Sequence, residues 1–104
     1  MAAMSEQYRL INRVGIVGAG IMGIGIAETM AAAGLTVHMF DQFPGKAEAS
    51  KQELAKRLDS RVSRGKLDSD TAAGVLDRIT PVDALGDLAE ANLVIEAVVE
   101  DSGV

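Results

Sequence analysis

The run Val14 to Gly25 (VGIVGAGIMGIG) constrains this chain more than any other stretch, because it joins a short apolar segment directly to a glycine-rich turn. Gly18, Gly20 and Gly23 are spaced G-x-G-x-x-G, and an acidic residue, Asp41, stands 23 positions after Gly18 at the end of a second apolar run. Phosphate oxygens need backbone N–H donors at close range, and a helix N-terminus offers unpaired donors and a partial positive charge. A side chain on the turn would hold such a ligand off. The pattern therefore points to a site for a dinucleotide, with Gly18, Ala19, Gly20, Ile21, Met22 and Gly23 around the pyrophosphate. Gly23 has a separate task, since it lies one turn into the helix, where a missing side chain lets helix and strand approach. Gly25 and Ala27 keep that face small.

The flanking sequence agrees with this reading. Arg13–Val17 reads as a buried strand, Ile21–Ala33 as a helix ended by Gly34, and Thr36–Phe40 as a second strand that closes a βαβ unit. A carboxylate at Asp41 can accept hydrogen bonds from the ribose hydroxyls of NAD and repels the 2′-phosphate of NADP. Gln42 and Phe43 follow it, so no adjacent base is offered to that phosphate. Lys46, the nearest base, is assigned to the next helix. NAD is favoured. The competing reading of Asp41 is a plain cap on that next helix.

Composition narrows the class. With 104 residues the chain is at most one domain, and 48% hydrophobic content suffices for a core although aromatics are only 3%. The absence of cysteine excludes a disulfide scaffold, a thiolate zinc site and cysteine catalysis, and no metal site is expected. The tail 1–12 has no apolar core of a signal peptide, and no apolar run approaches the roughly 20 residues that cross a bilayer. A soluble, cytoplasmic protein is expected. The net charge is −5, yet residues 46–66 carry seven of the ten Lys and Arg against three acids, so that segment is +4 and the remainder −9. Nucleic acid suits an acidic chain poorly. A basic segment on an acidic body suits a localised anionic ligand.

Farther along, Pro44 is placed in the first turn of a helix over about 45–64, with Ala47, Leu54, Leu58 and Val62 on its packed face and Gly65 ending it. Asp68 or Ser69 caps a helix near 70–78, whose Leu76 and Ile79 are expected to meet the previous helix. Ile79–Val82 reads as a short third strand that Pro81 confines to a strand end. Ala84–Glu90 reads as a short helix or turn. Asn92–Val99 reads as a strand buried on both faces, with Glu96 either at the cofactor cleft or facing water. The expected fold is α/β, a Rossmann-type doubly wound parallel sheet with about four strands and an inserted helical hairpin. A complete fold of this type has about six strands in the order 3-2-1-4-5-6. Residues 13–104 are thus expected to be part of a dinucleotide-binding domain, with the remainder absent and the Leu93–Val99 edge open to self-association.

With these residues in view, the sequence resembles the N-terminal domain of the 3-hydroxyacyl-CoA dehydrogenase family. The likeness rests on GAGIMGIGIA at Gly18–Ala27, VHMFDQ at Val37–Gln42, RIT at Arg78–Thr80 and LVIEAVVED at Leu93–Asp101. It implies an enzyme that oxidises the 3-hydroxyl of an acyl-CoA thioester and passes hydride to NAD, in fatty-acid or aromatic-acid degradation, as a homodimer joined through a C-terminal domain. It also implies that Gly18 to Gly23 hold the pyrophosphate, that Asp41 and Gln42 meet the adenosine ribose, and that Ala97, Val98 and Glu100 approach the nicotinamide half. Arg57, Arg64 and Lys66 become the residues for the CoA phosphates, against the alternative of a merely solvated helix face. The family's catalytic residues lie downstream of the matched segment, so none is assigned here and this chain alone is expected to be inactive. His38, the only histidine, sits mid-strand and reads as structural. The alternatives are another β-hydroxyacid dehydrogenase, of the 3-hydroxyisobutyrate or 6-phosphogluconate type, and a non-catalytic dinucleotide-binding module completed by a partner chain.

Overall fold

The computed structural model describes residues 11–97. Four parallel strands, β1 (Arg13–Val17), β2 (Thr36–Phe40), β3 (Ile79–Val82) and β4 (Leu93–Glu96), form one sheet in the order β3-β2-β1-β4. Helix α1 (Ile21–Ala32) joins β1 to β2, and the hairpin of α2 (Lys46–Ser63) and α3 (Ser69–Arg78) joins β2 to β3. A 3-10 turn at Leu85–Leu88 leads into β4. The order reverses between β1 and β4, which is where an open α/β sheet leaves a crevice beyond the carboxyl ends of its strands.

Alternation along the strands puts Val14, Ile16, Val37, Met39 and Ile79 on one face, all buried, under the three helices. The helices present Ala27 and Ala31 of α1, Ala47, Leu54 and Leu58 of α2, and Ala72 and Val75 of α3. Small residues on α1 bring its axis close to the sheet. Arg61 of α2 pairs with Glu28 of α1 at 3.1 Å, and Arg78 donates to Ala31 O at 2.9 Å, supplying a partner for a carbonyl at the end of α1. The hairpin is therefore packed onto both the sheet and α1.

Most expected elements stand within a residue of their expected ends. Gly34 adopts φ 95°, with Leu35 N donating to Met30 O at 3.1 Å and Gly34 N to Ala31 O at 3.0 Å, the left-handed stop that favours glycine. Asp68 caps α3 by accepting from Asp70 N and Thr71 N at 3.1 and 3.3 Å. Asp68→Ala is expected to cost about 1 kcal/mol in urea unfolding, the usual effect of losing an N-cap. Pro81 is tolerated because β3 is an edge strand.

Three expectations are corrected. Pro44 precedes the helix: Gly45, at φ 80°, occupies the N-cap, and α2 starts at Lys46. Ile79 does not meet α2 as a helical residue but opens β3 opposite Val37, while Leu76 lines the groove between α2 and α3 with Leu58 and Val62. The last strand is not buried on both faces within the described residues, since Leu93 and Val94 are 39% and 51% exposed. Among the described residues it pairs only with β1, and the 3-10 turn lies instead against β1 and β2. That turn does cover Gly15, where a Cβ would meet Leu88 and Ala91 at 3.3 Å.

Candidate cofactor site

Two backbone hydrogen bonds carry the sheet pairing past the strand ends and shape the floor of the crevice. Gly18 N donates to Phe40 O at 2.7 Å, and Ala97 N donates to Val17 O at 2.8 Å. Above this floor lies a cleft of about 480 Å³ lined by Val17, Gly18, Gly20, Phe40, Asp41, Gln42, Phe43, Lys46, Leu85 and Ala97. The end of β1 thus turns into α1 at one side, and the end of β2 delivers Asp41 to the other.

The turn is held in one shape by close contacts. Gly18 takes φ 109°, a conformation that side chains strain to adopt. A Cβ at Gly23 would stand 1.8 Å from Gly18 O, so no residue but glycine fits there without movement of the turn. At Gly20 a Cβ would meet nothing within 4 Å, because that position faces open space. Gly20 is also the N-cap of α1 and supplies no side-chain cap, and the first intrahelical bond is Ile24 N to Gly20 O at 3.0 Å. The amides of the first turn are therefore free of intrahelical partners and available to an anion. Ile21 and Met22, in that turn, are 93% and 56% exposed.

Asp41 does not cap α2, as the competing reading had it. Its Oδ2 accepts from Ala19 N at 2.8 Å and its Oδ1 from Phe43 N at 2.9 Å. One carboxylate thus ties the glycine turn to the end of β2, and each oxygen retains acceptor capacity for a ribose hydroxyl. Ala19, buried outright, spends its N–H on Asp41 and so stands as a structural member of the turn.

Other expected residues separate. Gln42 and Ala97 line the cleft, whereas Val98 and Glu100 lie outside the described residues. Glu96 is exposed and is not among the cleft residues, so within the described chain it faces water. Arg57 lines a second groove of about 260 Å³, shared with Ala19, Gly20, Ile21 and Ser50, between the start of α1 and α2. Arg64 and Lys66 are exposed beyond the other end of α2, roughly 10 Å farther along at 1.5 Å per residue. His38, half-buried, lies opposite Gly15 and Thr80 in mid-sheet on the face away from the helices.

Val17, Phe40 and Phe43 line the cleft as chain neighbours of the residues singled out, and Lys46, assigned from sequence only to the next helix, lines it too; two further contributors come from farther away. Leu85, 57% exposed, enters the cleft wall from the 3-10 turn. Ser50 of α2 donates its hydroxyl to Ala19 O. Neither carries a local signal, because each reaches the site only through helix and loop packing.

Residues 13–104 match the family model of the 3-hydroxyacyl-CoA dehydrogenase NAD binding domain. The chain belongs to this family. It is 45% identical over 97 residues to a 3-hydroxybutyryl-CoA dehydrogenase of Mycobacterium tuberculosis, which covers 90% of this chain and 33% of that protein. It is 40% identical over 100 residues to a fatty acid oxidation complex subunit alpha of Psychrobacter arcticus, covering 96% of this chain and 14% of that one. Among solved structures, a 3-hydroxybutyryl-CoA dehydrogenase from Escherichia coli superposes with a TM-score of 0.82 at 40% identity, over 86% of this chain and 19% of that chain. The domain family thus agrees with the resemblance read from the motifs, and the chain spans a third or less of the length of these relatives.

Proposed function

We propose that this chain binds NAD across the carboxyl ends of β1, β2 and β4, as part of an enzyme that oxidises (S)-3-hydroxyacyl-CoA to 3-oxoacyl-CoA. The observation that carries the reading is the pairing of an uncapped helix start at Gly20 with the Asp41 carboxylate in one cleft. The donor set fits the group: first-turn amides for the pyrophosphate, and an acceptor for the ribose hydroxyls. Bound NAD supplies the hydride acceptor for carbon 3 of the substrate. Gly18 to Gly23 would hold the pyrophosphate, Asp41 and Gln42 the adenosine ribose, and Ala97 with Val98 and Glu100 the nicotinamide half. No residue of this chain is assigned the proton of the substrate hydroxyl, so the chain alone is expected to bind cofactor without turnover.

Arg57, beside the start of α1, is the first residue for the CoA phosphates, with Arg64 and Lys66 farther along the same hairpin. Among the described residues no helix is long and apolar enough to cross a membrane, and a cytoplasmic homodimer acting in fatty-acid degradation is part of the same proposal. Association of two copies of this chain along the Leu93–Val99 segment, of which β4 is the described strand, is its remaining element. Light scattering that finds only monomer at high concentration would remove that element.

The test of the cofactor reading is a calorimetric titration with NADH and NADPH. Saturable NADH binding is expected, with NADPH at least about tenfold weaker because of the Asp41 charge. No NADH binding by protein with a native far-ultraviolet spectrum overturns it.

A further inference from the structure

Ala19 is gripped from two elements at once. Its N–H donates to Asp41 Oδ2 at 2.8 Å, and its C=O accepts from the Ser50 hydroxyl, 31 residues away on α2. These two groups belong to successive peptide units, each planar, with its N–H and C=O pointing in opposite directions. In the Gly18–Ala19 unit the N–H is turned to Asp41, which sends Gly18 O toward α1, where a Gly23 Cβ would collide with it at 1.8 Å. In the Ala19–Gly20 unit the C=O is turned to α2, which sends the Gly20 N–H the other way. Gly20 lines the cleft.

We propose that Ser50 is a positioning residue for the phosphate-binding turn: by holding Ala19 O it sets the direction of the Gly20 N–H that receives a pyrophosphate oxygen. The proposal rests on the dinucleotide reading above. Without the Ser50 hydroxyl, the Ala19–Gly20 peptide has a buried carbonyl with no side-chain donor and can rotate to seek water. Rotation carries the Gly20 N–H with it. Glycine on one side of this peptide makes such rotation easy, since Gly20 tolerates most backbone angles. The hairpin therefore reaches into the cofactor site through its first two turns, which bring both Ser50 and Lys46, while Arg64 and Lys66 lie farther along. Asp41 alone fixes only the preceding peptide.

The experiment compares wild type, Ser50→Ala and Ser50→Thr by backbone amide spectra without ligand, then by titration with NADH, ADP and adenosine. ADP carries the pyrophosphate and adenosine does not. In Ser50→Ala the Gly20 amide resonance is expected to move, and affinity for NADH and ADP to fall about fivefold to tenfold, the effect of one misdirected hydrogen bond. Adenosine affinity stays within twofold, and Ser50→Thr, which keeps the hydroxyl, restores both observations. A merely structural Ser50 would lower the melting temperature and affect ADP and adenosine alike. An unmoved Gly20 amide, an ADP affinity within twofold of wild type, or equal losses for ADP and adenosine each overturn the proposal. Where alanine unfolds the chain, Ser50→Cys, a weaker donor, is read the same way. If folded wild type binds neither NADH nor ADP, the dinucleotide reading fails, and the ligand-free Gly20 shift still decides whether Ser50 orients that peptide.

Discussion

Gly23→Ala is expected to destabilise the fold by about 3 kcal/mol, the upper part of the range for overpacking a close contact, and to abolish measurable NADH binding. The added Cβ would stand 1.8 Å from Gly18 O and 2.8 Å from Gly18 C. Both are backbone atoms, which cannot rotate aside as a flexible side chain can. Either α1 slides away from β1, opening the contacts of Ile24, Ala27 and Ala31 with the core, or the turn unwinds from its φ 109° shape. Each route moves the first-turn amides relative to Gly18 and Asp41. Urea unfolding should show a lower midpoint with an unchanged slope, meaning lost stability without a change in the surface exposed. Gly20→Ala separates the two effects. Its Cβ meets no protein atom within 4 Å, so stability should change by less than about 1 kcal/mol. Affinity for NADH should nevertheless fall, because the proposed pyrophosphate would occupy that open space. Equal stability losses in both variants would sink the account of the turn.

Asp41→Ala has the second largest expected effect, and it acts on two links at once. The carboxylate accepts from Ala19 N and Phe43 N, and both amides lose a charge-assisted partner. Each such bond is worth about 1.5–3 kcal/mol. Solvent reaches part of the site and replaces some of that, so a stability loss of about 2 kcal/mol is expected. NADH affinity is expected to fall by about 30-fold or more, because the ribose loses its acceptor and the turn loses its tether. NADPH should be affected less, since removing the negative charge relieves repulsion of its 2′-phosphate. The selectivity between the two cofactors is therefore expected to shrink toward unity. Asp41→Asn, which keeps one acceptor oxygen and no charge, should fall between wild type and alanine on both measures. A variant that loses stability but keeps its full preference for NADH would remove Asp41 from the ribose and leave it as a tether only.

The two predictions divide what was legible in the sequence from what was not. Strand β1, helix α1 and strand β2 could be read nearly to the residue, because their signals are local. The apolar run at Arg13–Val17, the glycine spacing and the stop at Gly34 each act through neighbours within about one helical turn. The same spacing pointed to a close approach of helix and strand at Gly23, and the structure puts the tight contact at Gly18 O, in the turn that follows β1. The last strand misled for an equally physical reason. An apolar run reads as buried on both faces, yet burial depends on which elements lie beside it, and among the described residues β4 has a single strand neighbour.

Chain-local pattern by itself determined the βαβ unit, the glycine-rich turn and the acidic residue at the end of β2, since all three depend on hydrogen bonding and sterics between near neighbours. Only the tertiary structure decided that Asp41 grips Ala19 and Phe43 instead of capping α2, that Arg57 shares a groove with Gly20 while Arg64 does not, and that Ser50 holds Ala19 O. Those contacts depend on how the hairpin seats on the sheet and on α1. That seating comes from Leu54 and Leu58 entering the core and from the Arg61–Glu28 and Arg78–Ala31 ties, whose partners lie 33 and 47 residues apart. No pattern along the chain encodes such a separation; the packing of side chains in three dimensions does.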